Sequence, residues 1–470
     1  MKNLASRLFT AVLTGTLLVP LVGMVFWKTD ETSEKRELAA WPSLVEEGRP
    51  NMRFLPEMGT WYEDHFALRP WLITAYADLE NAVFQESSIR NVLRGDDGWL
   101  FYQETADQYL GLNPLSERQI FNIVHNLQLI QYSLNSNGAN MLVSIVPNKN
   151  TIYPEKMKDR YLESENKDID RLQHAISEGG IPCVDLKAPL KADERTLYFE
   201  RDSHWNNQGA LLAYNTLMDA MGLEHDTYET VTPEVRNDHT SDLDTMLNPK
   251  SAKNEPDYYY DAALDYQVHN VITDFMDSWI ETSAPNGQSS LLMFRDSFGE
   301  ALAPFLASQF SQAWFSRLTP YNLIQVESLK PEWVIIERAE RRMSGFQEQA
   351  AIMKMPVVAN MESTPALQST SISITDDAGW KKIAGKVDSL SDSAQIYLQG
   401  NRPDGKVFTW PLFYIEDGYE VYLPEAALPQ GTKLTVLVKD GEQVLAVDET
   451  TVEAATQSPA VDSAGSEADQ

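Results

Sequence analysis

Between residues 116 and 336 the chain alternates helical and strand patterns, and no other feature constrains its fold as tightly. Ser116 is positioned to cap a helix whose apolar residues Ile120, Ile123, Val124, Leu127 and Ile130 recur at helical spacing. Met141 to Val146 is a compact apolar strand closed by Pro147. Residues 165–178 read as helix, and Ile181 to Val184 and Leu197 to Phe199 as strands. Gly209 to Met221 reads as helix, Leu291 to Phe294 as strand, Gly299 to Phe310 as helix and Trp333 to Ile336 as strand. Strands separated by helices imply an α/β fold, a parallel sheet with helices on both faces. Sites in such sheets lie beyond the carboxyl ends of the strands.

The flanks have other textures. Leu8 to Trp27 carries no charge and follows Lys2 and Arg7. At about 1.5 Å per residue it spans a hydrocarbon core of about 30 Å. Residues 1–29 are therefore expected to form an N-terminal transmembrane helix, an uncleaved signal anchor in preference to a cleaved signal peptide. Either reading puts the rest of the chain outside the cytoplasm. Residues 30–60, interrupted by prolines, read as a stalk, and 61–362 as the main domain. Within it, 230–285 is an acidic insertion with few apolar periods, read as either a substrate-covering loop or a surface excursion. Short alternating runs over 365–453, with turns at Asn401–Gly405 and Lys439–Gly441, predict a small C-terminal β-sandwich. Trp410, Phe413 and Tyr414 there are either sugar-stacking rings or, the safer assignment, core. Residues 454–470 are small and acidic and are expected to be disordered.

A net charge of −31 argues against nucleic-acid binding, and an anionic polymer would need a locally basic groove. Cys183 is the sole cysteine, which excludes an intrachain disulfide; its apolar neighbours suggest packing. No zinc-ligand spacing occurs, and neither a metal nor a cofactor is expected.

Two short words carry chemistry. Asp202-Ser203-His204-Trp205 follows the Leu197–Phe199 run, and Arg295-Asp296-Ser297-Phe298-Gly299 follows Leu291–Phe294. Ser297 offers a nucleophile, His204 a base and Asp202 a carboxylate to fix the imidazole tautomer, the parts of a serine acyl-transfer site. Each word alone is more often a cap or a surface pair. Both at strand ends of one alternating sheet make a candidate site. A serine between strand and helix exposes its hydroxyl near helix-start amides, and Gly299 permits close backbone approach. His65, His125 and His174 read as structural, and His225, His239 and His269 as exposed in or near the insertion.

These words and their neighbours resemble the alginate O-acetyltransferase AlgJ/AlgX family, whose catalytic domain is SGNH-hydrolase-like. The resemblance includes Tyr62-Glu63-Asp64-His65-Phe66, Gly98-Trp99-Leu100-Phe101, Val146-Pro147-Asn148-Lys149, Asp242-Leu243 and Glu337 with Glu340-Arg341, in order. It is also similar to the related DHHW proteins. The resemblance implies Ser297 as nucleophile, His204 as base and Asp202 as its partner. Arg295, Asn148, Trp205 and Gly299 become candidate substrate-binding or oxyanion residues. It further implies O-acetylation of an exported or wall polysaccharide, with acyl groups handed across by a membrane-embedded acyltransferase. In some relatives a carbohydrate-binding module stands where the C-terminal sandwich is expected. A carbohydrate O-acetylesterase and a non-catalytic polysaccharide-binding scaffold are the alternatives.

Overall fold

The computed structural model describes residues 39–453, apart from 47, 68, 85–88, 159–160, 166, 367–371, 388–389 and 417, plus isolated positions before residue 39. The expected transmembrane segment and acidic tail therefore lie essentially outside the described residues. Among the described residues no helix is long and apolar enough to cross a membrane.

The centre is a seven-stranded sheet. Its strands are β1 (Asn140–Val146), β2 (Cys183–Val184), β3 (Gln267–Val268), β4 (Trp279–Ser283), β5 (Ser290–Phe294), β6 (Gln312–Ser316) and β7 (Trp333–Ala339), in spatial order 2-1-7-5-6-4-3. β2, β1, β7, β5 and β6 run parallel, and β4 and β3 add antiparallel to one edge. The period-two alternation of side chains divides the core. Leu142, Leu291, Met293 and Ile335 face helices α3 (Asn207–Met221) and α4 (Gly299–Gln309). Met141, Val143, Leu292, Val334 and Ile336 face α1 (Glu117–Ser136) and α2 (Asp168–Glu178). Burial on both faces explains why these strands read as continuous apolar runs. Ser116 caps α1 through a reciprocal bond with Gln119.

Two expectations change. Leu197–Phe199 is not a sheet strand. It folds back on its own chain: Asn206 N–H donates to the Leu197 carbonyl at 2.9 Å and Phe199 N–H to that of His204 at 3.2 Å. Nor is the insertion a mere excursion. It contributes the hairpin Glu234–Thr240/Asn254–Tyr259, the helix Asp242–Leu247 and the strands β3 and β4. Its first hairpin strand is largely exposed and the second buries acids, Glu255 and Asp257, so no apolar period announces them.

At the C-terminal end, sheets of five and four strands share one core through Ile383, Ile396, Leu398, Val421 and Val436. The five-stranded sheet includes one parallel pair, Thr364–Pro365 beside Leu445–Ala446. This unit packs on α1. Asn126 and the Tyr414 backbone exchange hydrogen bonds of 2.8 and 2.9 Å. The His125 Nε2–H donates to the Leu412 carbonyl at 3.0 Å, and burial lowers the pKa of this ring to about 4, leaving it neutral. Trp410, Phe413 and Tyr414 are interior, so none presents a face to a sugar.

Candidate active site

Ser297 stands just beyond the carboxyl end of β5, in the turn into α4. Asp296 builds that turn: its carboxylate accepts from Phe298 N–H at 2.9 Å and from Ala339 N–H, at the end of β7, at 2.7 Å. Asp296 N–H in turn donates to Glu337 Oε2 at 2.9 Å. Glu337 is fully buried in β7, and burial, reinforced by the Asp296 charge, pushes its carboxyl well above the usual carboxylate range. A neutral Glu337 beside a charged Asp296 is the arrangement two adjacent carboxyls adopt when both cannot ionise.

His204 sits in a different construction, a short irregular loop fixed from several sides. Lys149 is fully buried and spends its three protons on the carbonyls of Phe199 (2.9 Å), Glu200 (2.9 Å) and Asp202 (2.6 Å). Burial lowers its pKa to about 8. Glu255, from the insertion, accepts the backbone N–H groups of Glu200 (2.7 Å) and Arg201 (2.9 Å). Trp205 anchors the far end in the core, and its Nε1–H donates to the Phe298 carbonyl at 3.1 Å, tying this loop to the serine turn. Asn206 caps α3, and a Cβ on Gly209 would lie 2.4 Å from the Leu197 carbonyl oxygen, so glycine is required there.

The two constructions meet in a hydrogen-bonded relay. Ser297 Oγ is 2.8 Å from His204 Nε2, and His204 Nδ1 is 2.8 Å from Asp202 Oδ1. Burial opposes the Asp202 charge, but hydrogen bonds from His204 and His239 hold its pKa well below the ordinary value. An anionic Asp202 fixes the proton on Nδ1 and leaves the Nε2 lone pair for the serine hydroxyl. Asp202 Oδ2 accepts from Asp242 N–H at 2.7 Å and from His239 Nε2–H at 3.1 Å. Ser203 Oγ donates to Asp242 at 2.7 Å and lies 3.3 Å from His204 Nδ1.

The relay opens into a cavity of about 440 Å³ lined by Tyr102, Ser203, His204, Ser297 and a cluster of charges. Five arginines (Arg295, Arg317, Arg338, Arg341 and Arg342) line it against three acids, Asp242, Asp296 and Glu348. A strongly acidic chain thus concentrates positive charge at this mouth, which focuses anions toward it. The Arg341 guanidinium lies 5.0 Å from the centroid of Phe298, next to Ser297, and among the described residues no carboxylate pairs with it.

Several predicted contacts resolve differently. Arg295 borders the cavity, but its guanidinium is buried and bonded to the carbonyls of Phe275, Asp277 and Asp296, so it fastens the insertion to the serine turn. Asn148 does not line the cavity; its amide donates to Gln108 at 2.9 Å and its backbone N–H to Glu340 at 2.7 Å. Trp205 is a buried tie. A Cβ on Gly299 would lie 2.5 Å from the Arg295 side chain, so that close approach serves packing. His239, expected to be exposed, is half-buried, stacked on Phe199 with ring centroids 3.7 Å apart. Reading Asp242 and His239 as parts of the site needed the long-range hairpin, which periodicity does not reveal. Donor atoms of Asp202, His204 and Asp242 lie within 4.8 Å of one another, as metal ligands would. Bonds among these residues and their neighbours already engage them, which fits support of an imidazole better than coordination.

Residues 92–278 match the family described as the SGNH hydrolase-like domain of acetyltransferase AlgX. That span includes Asp202 and His204 and stops short of Ser297. A probable alginate O-acetylase AlgJ of Pseudomonas syringae is 30% identical over 199 residues, 40% of this chain and 49% of that protein. One from Pseudomonas putida is 27% identical over 207 residues, 43% and 50% of the two chains. The chain thus spans about half the length of these curated relatives. A solved DHHW family protein from Eubacterium siraeum aligns with a TM-score of 0.44 at 16% identity, covering 55% of this chain and 93% of its own. Residues 92–278 are thus similar to the SGNH hydrolase-like domain of acetyltransferase AlgX, and about two fifths of the chain is similar to the AlgJ proteins.

Proposed function

We propose that this chain is an extracytoplasmic O-acyltransferase that acetylates an exported, anionic polysaccharide. The carrying observation is the relay from Ser297 through His204 to Asp202, opening into the arginine-lined mouth. Ser297 Oγ bonds to the acyl carbon of the donor while His204 Nε2 takes the hydroxyl proton. The donor's leaving group departs with that proton, leaving an acyl-serine. A sugar hydroxyl then gives its proton to His204 and attacks the acyl carbon, and Ser297 recovers its proton as the ester leaves on the sugar. Asp202 keeps the tautomer and stabilises the imidazolium in both halves.

The relatives are named alginate O-acetylases, and Arg341, beside Phe298 at the mouth, suits a carboxylated acceptor. Acyl-CoA is not available outside the cell, so the donor partner in this reading is a membrane-embedded acyltransferase. The charge-free run Leu8 to Trp27 would hold the domain at that membrane. The test supplies 4-nitrophenyl acetate with a polyuronate, with a neutral glucan, or with water alone. Acetyl transferred to the polyuronate, dependent on Ser297, supports the proposal. Ser297-dependent release of acetate that no glycan diverts would assign an esterase. No Ser297-dependent turnover would point to a binding scaffold.

A further inference from the structure

Asp202 is shared between two imidazoles. His204 Nδ1 bonds to its Oδ1 at 2.8 Å and His239 Nε2 to its Oδ2 at 3.1 Å. Both oxygens take a second donor, the His204 and Asp242 backbone N–H groups at 3.0 and 2.7 Å. His239 is carried by the insertion hairpin, stacked nearly parallel on Phe199 at an interplanar angle of 3°, with its side chain 29% exposed. Solvent protons reach this ring, whereas the carboxylate it grips is 2% exposed.

We propose that His239 is a positioning residue that sets the pH response of His204: a proton on His239 draws on the same buried carboxylate and lowers the basicity of His204. The physical reason is that one anion supports two potential cations, and charging the first weakens its hold on the second. The groups facing His239 are Asp202 in the base loop, Glu255 and Asp257 on the opposing hairpin strand, and Glu300 on α4. His204 lies across the carboxylate, and the Lys149 ammonium is fixed to the carbonyl of Asp202 itself. Burial disfavours a charge on His239, yet Asp202 and its acidic neighbours outweigh it and raise its pKa. It therefore takes up a proton more readily than an ordinary histidine. This inference rests on the proposed role of His204 as base.

Two measurements test it. Imidazole resonances of the wild-type folded domain are followed from pH 4.5 to 9, then repeated in His239→Gln, which keeps an N–H donor but cannot titrate. The inference predicts that His204 titrates higher in the variant by about half to one pH unit. The acid limb of Ser297-dependent 4-nitrophenyl acetate turnover should move up equally. If the variant does not fold, the wild-type titration decides. Mutually displaced, two-step titrations of the two rings support coupling, and independent single steps overturn it. A His204 titration that is the same in both proteins also overturns it. The resonance measurement needs no turnover, so an inactive domain would refute the acyl-transfer reading and leave this one standing or falling separately.

Discussion

Ser297 and His204 reach one another from two differently built regions. The serine turn belongs to the regular part of the fold: a buried parallel strand, a sharp turn capped by Asp296, and a helix packed on the sheet. The base loop has almost no regular structure. Its shape comes from side chains gripping backbone, Lys149 on three carbonyls and Glu255 on two amides, and from the Asp202 carboxylate, which takes the Asp242 N–H and the His239 ring. Sheet register and the Asp296 cap position Ser297. Buried polar contacts position His204, and each missing partner leaves an unsatisfied group. The stability of the fold and the geometry of the base are therefore separable at Ser297 and inseparable at Lys149.

The comparison can be broken at its extremes. Ser297→Ala should lower ester turnover by about a thousandfold or more with no loss of stability, measured by steady-state kinetics beside denaturant unfolding. Lys149→Met removes the ammonium and strands two buried carbonyls and a part-buried one. It should destabilise by about 2–4 kcal/mol and abolish most turnover at once, read from the same two experiments. Arg341→Ala should leave small-ester turnover unchanged and raise the KM for a polyuronate acceptor by about three- to tenfold, a loss of about 1 kcal/mol. The smallest effect concerns Glu337. Its folded pKa is raised, so the native state binds more protons than the unfolded chain above pH 4.5. Wild-type stability therefore carries a term that is lost as pH rises from there toward the folded pKa. Glu337→Gln keeps the shape without the titration. It should flatten the stability profile between pH 5 and 8 while staying within about 1 kcal/mol of wild type at pH 5.

The same contrast explains what the sequence reveals. The buried strands β1, β5 and β7 and helices α1 to α4 announce themselves because burial on both sheet faces leaves apolar runs and helical periods. Ser297 is legible for that reason, at the end of such a run. The strands β3 and β4 are not, because they come from an acidic segment poor in apolar residues whose pairing is long-range. His239 and Asp242 share this origin: nothing local distinguishes a histidine on an exposed hairpin from one that bonds a buried carboxylate. Arg295 and Gly299 are candidates because they flank Ser297, and Asn148 because its strand-end word resembles the family's. Their side chains or space turn out to serve neighbouring backbone and packing.

The central claim is a covalent acyl-serine at Ser297, and intact-protein mass spectrometry tests it most directly. The folded domain is mixed briefly with 4-nitrophenyl acetate, quenched in acid and compared with Ser297→Ala and His204→Ala. The account predicts one acetyl group on wild-type protein, mapped to the peptide that holds Ser297, and neither variant labelled at that rate. Equal labelling of all three proteins, or a label that maps elsewhere, would contradict it.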